Sequence, residues 1–146
     1  MRAVGGGAAY STTADMARYV AALLNRGSNR HGTGLTPNTV TTMFEPHFQP
    51  DPRVPDMGLG FLLGAEDGHR AVGHDGIVSG FLAQMIMAPD DRVGVVVLGN
   101  TGGLDGRGAP DPLGVALLRR LLDLPDDPIR TDLPTHPEVW SRICGW

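Results

Sequence analysis

Met16, Val20, Leu23 and Leu24 fall at i, i+4, i+7 and i+8, which is one apolar face of a helix. Ser11-Thr12-Thr13-Ala14-Asp15 precedes that face, and Thr12 with Asp15 three residues on resembles a capping box. The pattern predicts a helix over about 13–26, with Gly27 positioned as a left-handed C-terminal cap. Residues 27–35 read as a polar, glycine-containing loop. Thr36-Pro37 starts a second helix, since a threonine N-cap before a first-turn proline suits both residues. Val40, Met43 and Phe44 give this helix its apolar face, and Pro46 ends it. Pro46, Pro50, Pro52 and Pro55 make 45–56 an extended loop.

Four strands are predicted next, over 57–64, 70–74, 81–88 and 93–100. Ala65-Glu66-Asp67-Gly68-His69 and Pro89-Asp90-Asp91-Arg92 are the short links. Links this short force antiparallel neighbours, because a parallel crossover needs a dozen or more residues. The nearly continuous apolar run Val93-Gly94-Val95-Val96-Val97-Leu98 implies packing on both faces. A polar glycine loop over 101–109 leads to a helix over about 112–123, with Leu113, Leu117, Leu121 and Leu124 as its expected core stripe. Arg119 and Arg120 suit the negative end of its dipole. The predicted class is α+β: two helices, an antiparallel sheet of about three or four strands, and a closing helix across it. Residues 1–124 form the expected domain, 125–138 a proline-rich linker, and 139–146 the apolar start of a further segment.

Composition narrows the functions. At 146 residues and 41% hydrophobic the chain can bury a core. Sixteen acids are interspersed with twelve basic residues, all arginine, which argues against nucleic acid as a partner. No apolar run reaches the roughly 18 residues that span a membrane. The first seven residues contain no secretion-type apolar stretch, so the compartment is left open. The lone Cys144 excludes an internal disulfide and a cysteine metal cluster.

The candidate chemistry is sparse. Ser11, Ser28, Ser79 and Ser141 have no lysine three residues on, for the chain has no lysine, and none lies in G-x-S-x-G. No H-E-x-x-H or calcium-loop pattern occurs, and His69 and His74 point to opposite sides of an extended chain, so no metal is expected. Gly99-Asn100-Thr101-Gly102-Gly103 lacks the dinucleotide spacing and reads as a polar loop, so no cofactor is expected. Gly73-His74-Asp75-Gly76 stands apart. It offers an imidazole able to donate a hydrogen bond or pass a proton, and backbone N–H groups that small neighbours leave accessible. A glycine-rich strand edge with a surface histidine is the alternative reading.

The stretches GGGAAYSTTADMARYVAALLNRG, GLGFLL and GHDGIVSGFLAQMIMAPDDRVGVVVLGN, with the closing helix, resemble the C-terminal part of the serine β-lactamase and penicillin-binding-protein-like family over about 5–124. The branch is that of class C β-lactamases, D-alanyl-D-alanine carboxypeptidases and related esterases. The resemblance implies an antiparallel sheet flanked by helices and hydrolysis of a small-molecule or peptide amide or ester through an acyl-serine. It implies three catalytic elements: S-x-x-K, Y-x-N, and a K-T-G or H-x-G triplet. His74-Asp75-Gly76 matches only the third. By resemblance, His74 meets the substrate carboxylate or the catalytic hydrogen-bond network. Asp75 and Gly76 line the substrate, and the Ile77 N–H supplies one arm of an oxyanion hole. Neither Tyr10 nor Tyr19 lies in Y-x-N. The expectation is a chain inactive alone, whose partner would be a missing N-terminal half. Intact relatives are often exported. An incomplete sheet should expose apolar surface and favour low solubility or self-association.

Overall fold

The computed structural model describes residues 6–49, 51, 53–78, 80–100 and 110–125. Ser79, the 101–109 loop, the linker beyond Pro125 and the tryptophan-bearing tail lie outside these residues.

Helix α1 spans Thr13–Leu24. Thr12 caps it by accepting from the Asp15 N–H at 3.2 Å, while its own hydroxyl donates to the Asp15 carboxylate at 3.1 Å. The shorter aspartate thus meets the cap hydroxyl instead of reaching back to the backbone N–H as glutamate does in a capping box. Gly27 closes the helix at φ 85°, its N–H donating to the Ala22 carbonyl at 2.7 Å. The predicted 27–35 loop contains a minimal hairpin, β1 (Ser28–Asn29) with β2 (Gly32–Thr33). Helix α2, Pro37–Met43, starts as expected, with Thr36 accepting from the Thr39 N–H at 3.1 Å.

The main sheet is antiparallel throughout, in sequential order β3 (Asp56–Met57), β4 (Leu62–Glu66), β5 (His69–Val78), β6 (Phe81–Ala88) and β7 (Val93–Gly99). Five strands replace the expected three or four. The extra one, β3, is the end of the proline-rich stretch, held by reciprocal bonds between Phe48 and Met57 of 2.8 and 3.1 Å. Strand β5 continues four residues past His74 because β6 pairs with it as far as Val78.

Helices cover both faces. On one, Val20 and Leu23 of α1 and Val40 of α2 pack with Phe44, Phe61, Val72, Met85 and Met87. The Phe44 and Phe61 rings meet edge-to-face at 5.0 Å, the arrangement their quadrupoles favour. On the other face Ala71, Ile86, Ala88 and Val95 pack under Leu118 of α3, Pro110–Leu121. Full burial of Val72, Met87 and Leu118 contributes about 2 kcal/mol each.

The expected leucine stripe of α3 is not its buried face. Leu113, Leu117 and Leu121 stay half-exposed, while Leu118, Val115 and Leu122 meet the sheet. This rotation follows Arg119, which is only 5% exposed. It donates to Glu66 at 3.1 Å, to Asp67 at 2.8 Å and to the Pro125 carbonyl at 2.9 and 3.2 Å. An arginine expected to serve the helix dipole therefore ties α3 to the β4–β5 turn. A second clamp joins that hairpin to the Pro89–Arg92 turn. Arg70 grips Asp90 through two bonds of 2.9 and 3.0 Å, and His69 Nδ1 meets Asp91 at 2.9 Å.

Two outcomes follow. Arg119→Ala lowers the unfolding free energy by about 2 kcal/mol, the scale of hydrogen bonds to charged groups, read by urea denaturation; a loss within error would contradict the clamp. The hydrogen bond from Arg70 holds the Asp90 carboxyl below its ordinary 3.8, against a small opposing effect of burial. A depressed carboxyl stabilises the fold above the unfolded value and loses that contribution as pH falls through the folded one. Asp90 is well exposed, so the stability effect is small. In Arg70→Gln, the carboxyl carbon of Asp90 titrates at a higher pH by NMR; an unmoved midpoint would refute the pairing.

Candidate active site

The Gly73–Gly76 segment lies in the middle of β5, where the pairing becomes one-sided. Strand β4 pairs with His69 through Gly73 and stops, because Leu62 is its first residue. Strand β6 pairs with Val72 through Val78. Among the described residues, therefore, no strand covers 74–78 on the β4 side.

Which backbone groups face that gap follows from the ladder. The reciprocal Phe48–Met57 bonds turn the Met57 backbone away from β4. Hydrogen-bonded and non-bonded pairs alternate along an antiparallel ladder, so Asp56 with Leu63, and next Leu62 with Gly73, are the bonded pairs. The β4–β5 turn gives the same answer. Asp67 and Gly68 both have positive φ, 46° and 90°, which marks a two-residue type I′ turn flanked by a bonded pair, Glu66 with His69. Counting by twos from either anchor, Asp75 and Ile77 direct their N–H and C=O groups into the gap. Gly76 and Val78 direct theirs to β6.

Side chains alternate as well. His74 and Gly76 share the face of buried Val72, under α1, while Asp75 and Ile77 share the α3 face. His74 is exposed, and its ring folds over the open edge, with Nδ1–H donating to the Asp75 carbonyl at 2.5 Å. A carbonyl only accepts, so Nδ1 carries the proton and Nε2 is left as the outward acceptor. Asp75 stands opposite Gln84 of β6 and lines a cavity of about 480 Å³ with Pro55, Leu62, Gly73 and Ile86.

The two glycines have different causes. A Cβ on Gly73 would lie 2.6 Å from the Met85 carbonyl oxygen, so packing alone demands glycine there. At Gly76 the nearest atom is the Ala83 Cβ at 3.8 Å, an ordinary contact. Gly76 instead leaves a flat strip beside His74. Beyond it on the same face lie Val78 and Phe81, the latter 60% exposed.

The other sequence candidates do not converge on this edge. The Ser28 hydroxyl bonds Thr33, the Ser11 hydroxyl bonds the Thr12 carbonyl, and His69 is engaged with Asp91. His47 donates from Nε2 to the Thr42 carbonyl at 2.7 Å. Gln84 was not legible as a site residue, because only the β5–β6 register brings it opposite Asp75.

The family model described as Beta-lactamase matches residues 1–120. The chain belongs to the beta-lactamase family. Among solved structures, the beta-lactamase-family chain is similar to the octameric penicillin-binding protein homologue from Pyrococcus abyssi, at 21% identity and a TM-score of 0.68. The match covers 78% of this chain and 25% of that one, so the chain spans about a quarter of the homologue's length. At that identity the likeness is one of fold. No match was found among curated proteins.

The ring geometry is directly testable. The neutral His74 imidazole carries its proton on Nδ1, which nitrogen–proton correlation NMR reads from the two ring nitrogens; an Nε2-protonated ring would refute the bond to Asp75.

Proposed function

We propose that the open edge of β5 is the substrate-facing wall of an acyl-transfer site, acting on an amide or ester such as a β-lactam, a D-alanyl peptide or a simple ester. The observation that supports this reading is the half-paired strand itself. It presents two backbone N–H groups to solvent beside a histidine and a bare glycine strip. An acyl substrate lying along this edge exchanges hydrogen bonds with Asp75, as an added strand would. Its carbonyl oxygen receives the Ile77 N–H, one of the two donors an oxyanion hole needs. The absent side chain of Gly76 lets the substrate lie close. His74 swings from the Asp75 carbonyl and offers its ring to the substrate carboxylate or to the hydrogen-bond network around the leaving group.

The nucleophile and its base have no counterpart here, because S-x-x-K and Y-x-N are missing and no lysine is present. Without them the covalent route is lost, which costs about a million-fold in turnover where it has been measured. The chain therefore acts as one wall of a site whose other wall is carried by a different stretch of polypeptide. A second reading, a non-catalytic binding or complementation module, draws support from the outer edge of β7, which no strand pairs among the described residues.

Purified chain is expected to hydrolyse nitrocefin and p-nitrophenyl acetate no faster than buffer. Turnover above buffer that disappears in Ser79→Ala would overturn the assignment. Co-expression with a polypeptide carrying S-x-x-K and Y-x-N is expected to restore hydrolysis. In that complex Ile77→Pro, which deletes the edge-facing N–H while sparing the β6 ladder, lowers kcat by about a hundred-fold. Equal activity in the proline variant would remove Ile77 from the site.

A further inference from the structure

The face of β5 turned away from His74 carries a charge that the acyl-transfer reading leaves unused. Side chains alternate along the strand, so Asp75 shares the α3 face with Ala71 and Gly73. There it lines the cavity of about 480 Å³ together with Leu62, Gly64, Gly73 and Ile86. Gly64 and Gly73 bring no side chains, and the remaining wall is apolar.

The cavity holds two carboxylates in unlike circumstances. Glu66, beside the β4–β5 turn, receives Arg119 at 3.1 Å. Asp75 is half-buried, and its carbonyl accepts from His74. Among the described residues, its carboxylate has no hydrogen-bond or ion-pair partner. The residue opposite it on β6 is the neutral Gln84.

The open edge determines what meets this carboxylate. A substrate that exchanges both hydrogen bonds with Asp75 runs antiparallel to β5, because only that pairing returns two bonds to one residue. Opposed residues in such a pair stand about 5.5 Å apart and put their side chains on the same face. The substrate residue opposite Asp75 therefore directs its side chain toward the cavity. Antiparallel direction also places it two residues C-terminal to the residue whose carbonyl oxygen meets the Ile77 N–H.

Charge then selects that residue. A substrate covering the edge strips water from a carboxylate that lacks a partner, and burying an unpaired charge is costly. A basic side chain offsets this cost, whereas an acidic one directly opposite adds repulsion to it. A lysine-type side chain suits the cavity, because its aliphatic stem can lie against Leu62 and Ile86 over Gly73 while its ammonium stays beside Asp75.

We infer that Asp75 is a specificity-determining residue that selects peptide-like substrates with a positively charged side chain two residues beyond the scissile carbonyl. This inference rests on the reading of the β5 edge as a substrate wall and adds the class of substrate that the wall takes.

The test is NMR titration of the intact chain, followed at the Asp75 and Ile77 amides, with three capped pentapeptides. They carry lysine, norleucine or glutamate at the fourth residue and are otherwise identical, the second being the acyl residue. The lysine peptide is expected to bind at least ten-fold tighter than the norleucine peptide, and the glutamate peptide more weakly than either. Added salt narrows the spread. Asp75→Asn brings the lysine and norleucine peptides within two-fold of each other, and Asp75→Arg reverses the order in favour of glutamate. The chain's net charge of −4 attracts any cation, so a lysine preference that persists in Asp75→Asn would overturn the assignment. Equal binding of all three peptides, with both amides shifted, would overturn the charge selection and leave the edge as a substrate wall. Amides unmoved by every peptide would overturn both readings.

Discussion

The ladder between β5 and β6 is the constraint on which the other features depend. It runs from Val72 opposite Met87 to Val78 opposite Phe81. Through it Val72 and Met87 are locked into the core beneath α1, and Ile86 and Ala88 into the core beneath α3. The same pairing carries β5 past the end of β4, and that overhang exposes the edge of His74–Val78. Core and candidate site are therefore two ends of one strand. The buried end supplies the stability that keeps the exposed end extended.

Much of the fold is legible in the residues because local signals and burial agree. Thr12, Gly27, Thr36-Pro37 and the Asp67-Gly68 turn each fix one backbone conformation, and each does so where expected. The four long strands follow from short links that permit only antiparallel neighbours. Strand β3 is hidden because two residues at the end of a proline-rich stretch carry no periodicity; a tertiary contact with Phe48 makes them a strand. The overhang of β5 is hidden too, since Gly73 and Gly76 look like a strand's end until β6 is known to pair beyond them.

The candidate site is legible to about the same depth. Residue types single out His74 and Gly76, but the sequence does not tell which amides face outward. That depends on ladder phase, set here by a bridge at Phe48–Met57 and a turn at Asp67–Gly68. Helix α3 shows the converse failure. Its leucines at i, i+4 and i+8 form the most regular stripe in the chain, yet a buried arginine decides the rotation. Arg119 brings guanidinium bonds to Glu66, Asp67 and the Pro125 carbonyl, which a leucine-first reading has no means of weighing. The exposed stripe of Leu113, Leu117 and Leu121 becomes visible only once that rotation is known.

Strand β5 also couples two properties by handedness. In a strand of L-residues, the face a side chain takes and the side its own amide takes are not independent; chirality fixes one from the other. Val72 and Ile77 are an odd number of residues apart. Burying Val72 under α1 therefore forces the Ile77 side chain onto the opposite face and its amide toward the open edge, in a single geometric step. The apolar side chain that anchors the core also aims an amide five residues away. Shortening the strand by one residue between them would leave the hydrophobic anchor intact and turn the donor inward. The chain would still fold, with a different residue presenting its amide at the open edge.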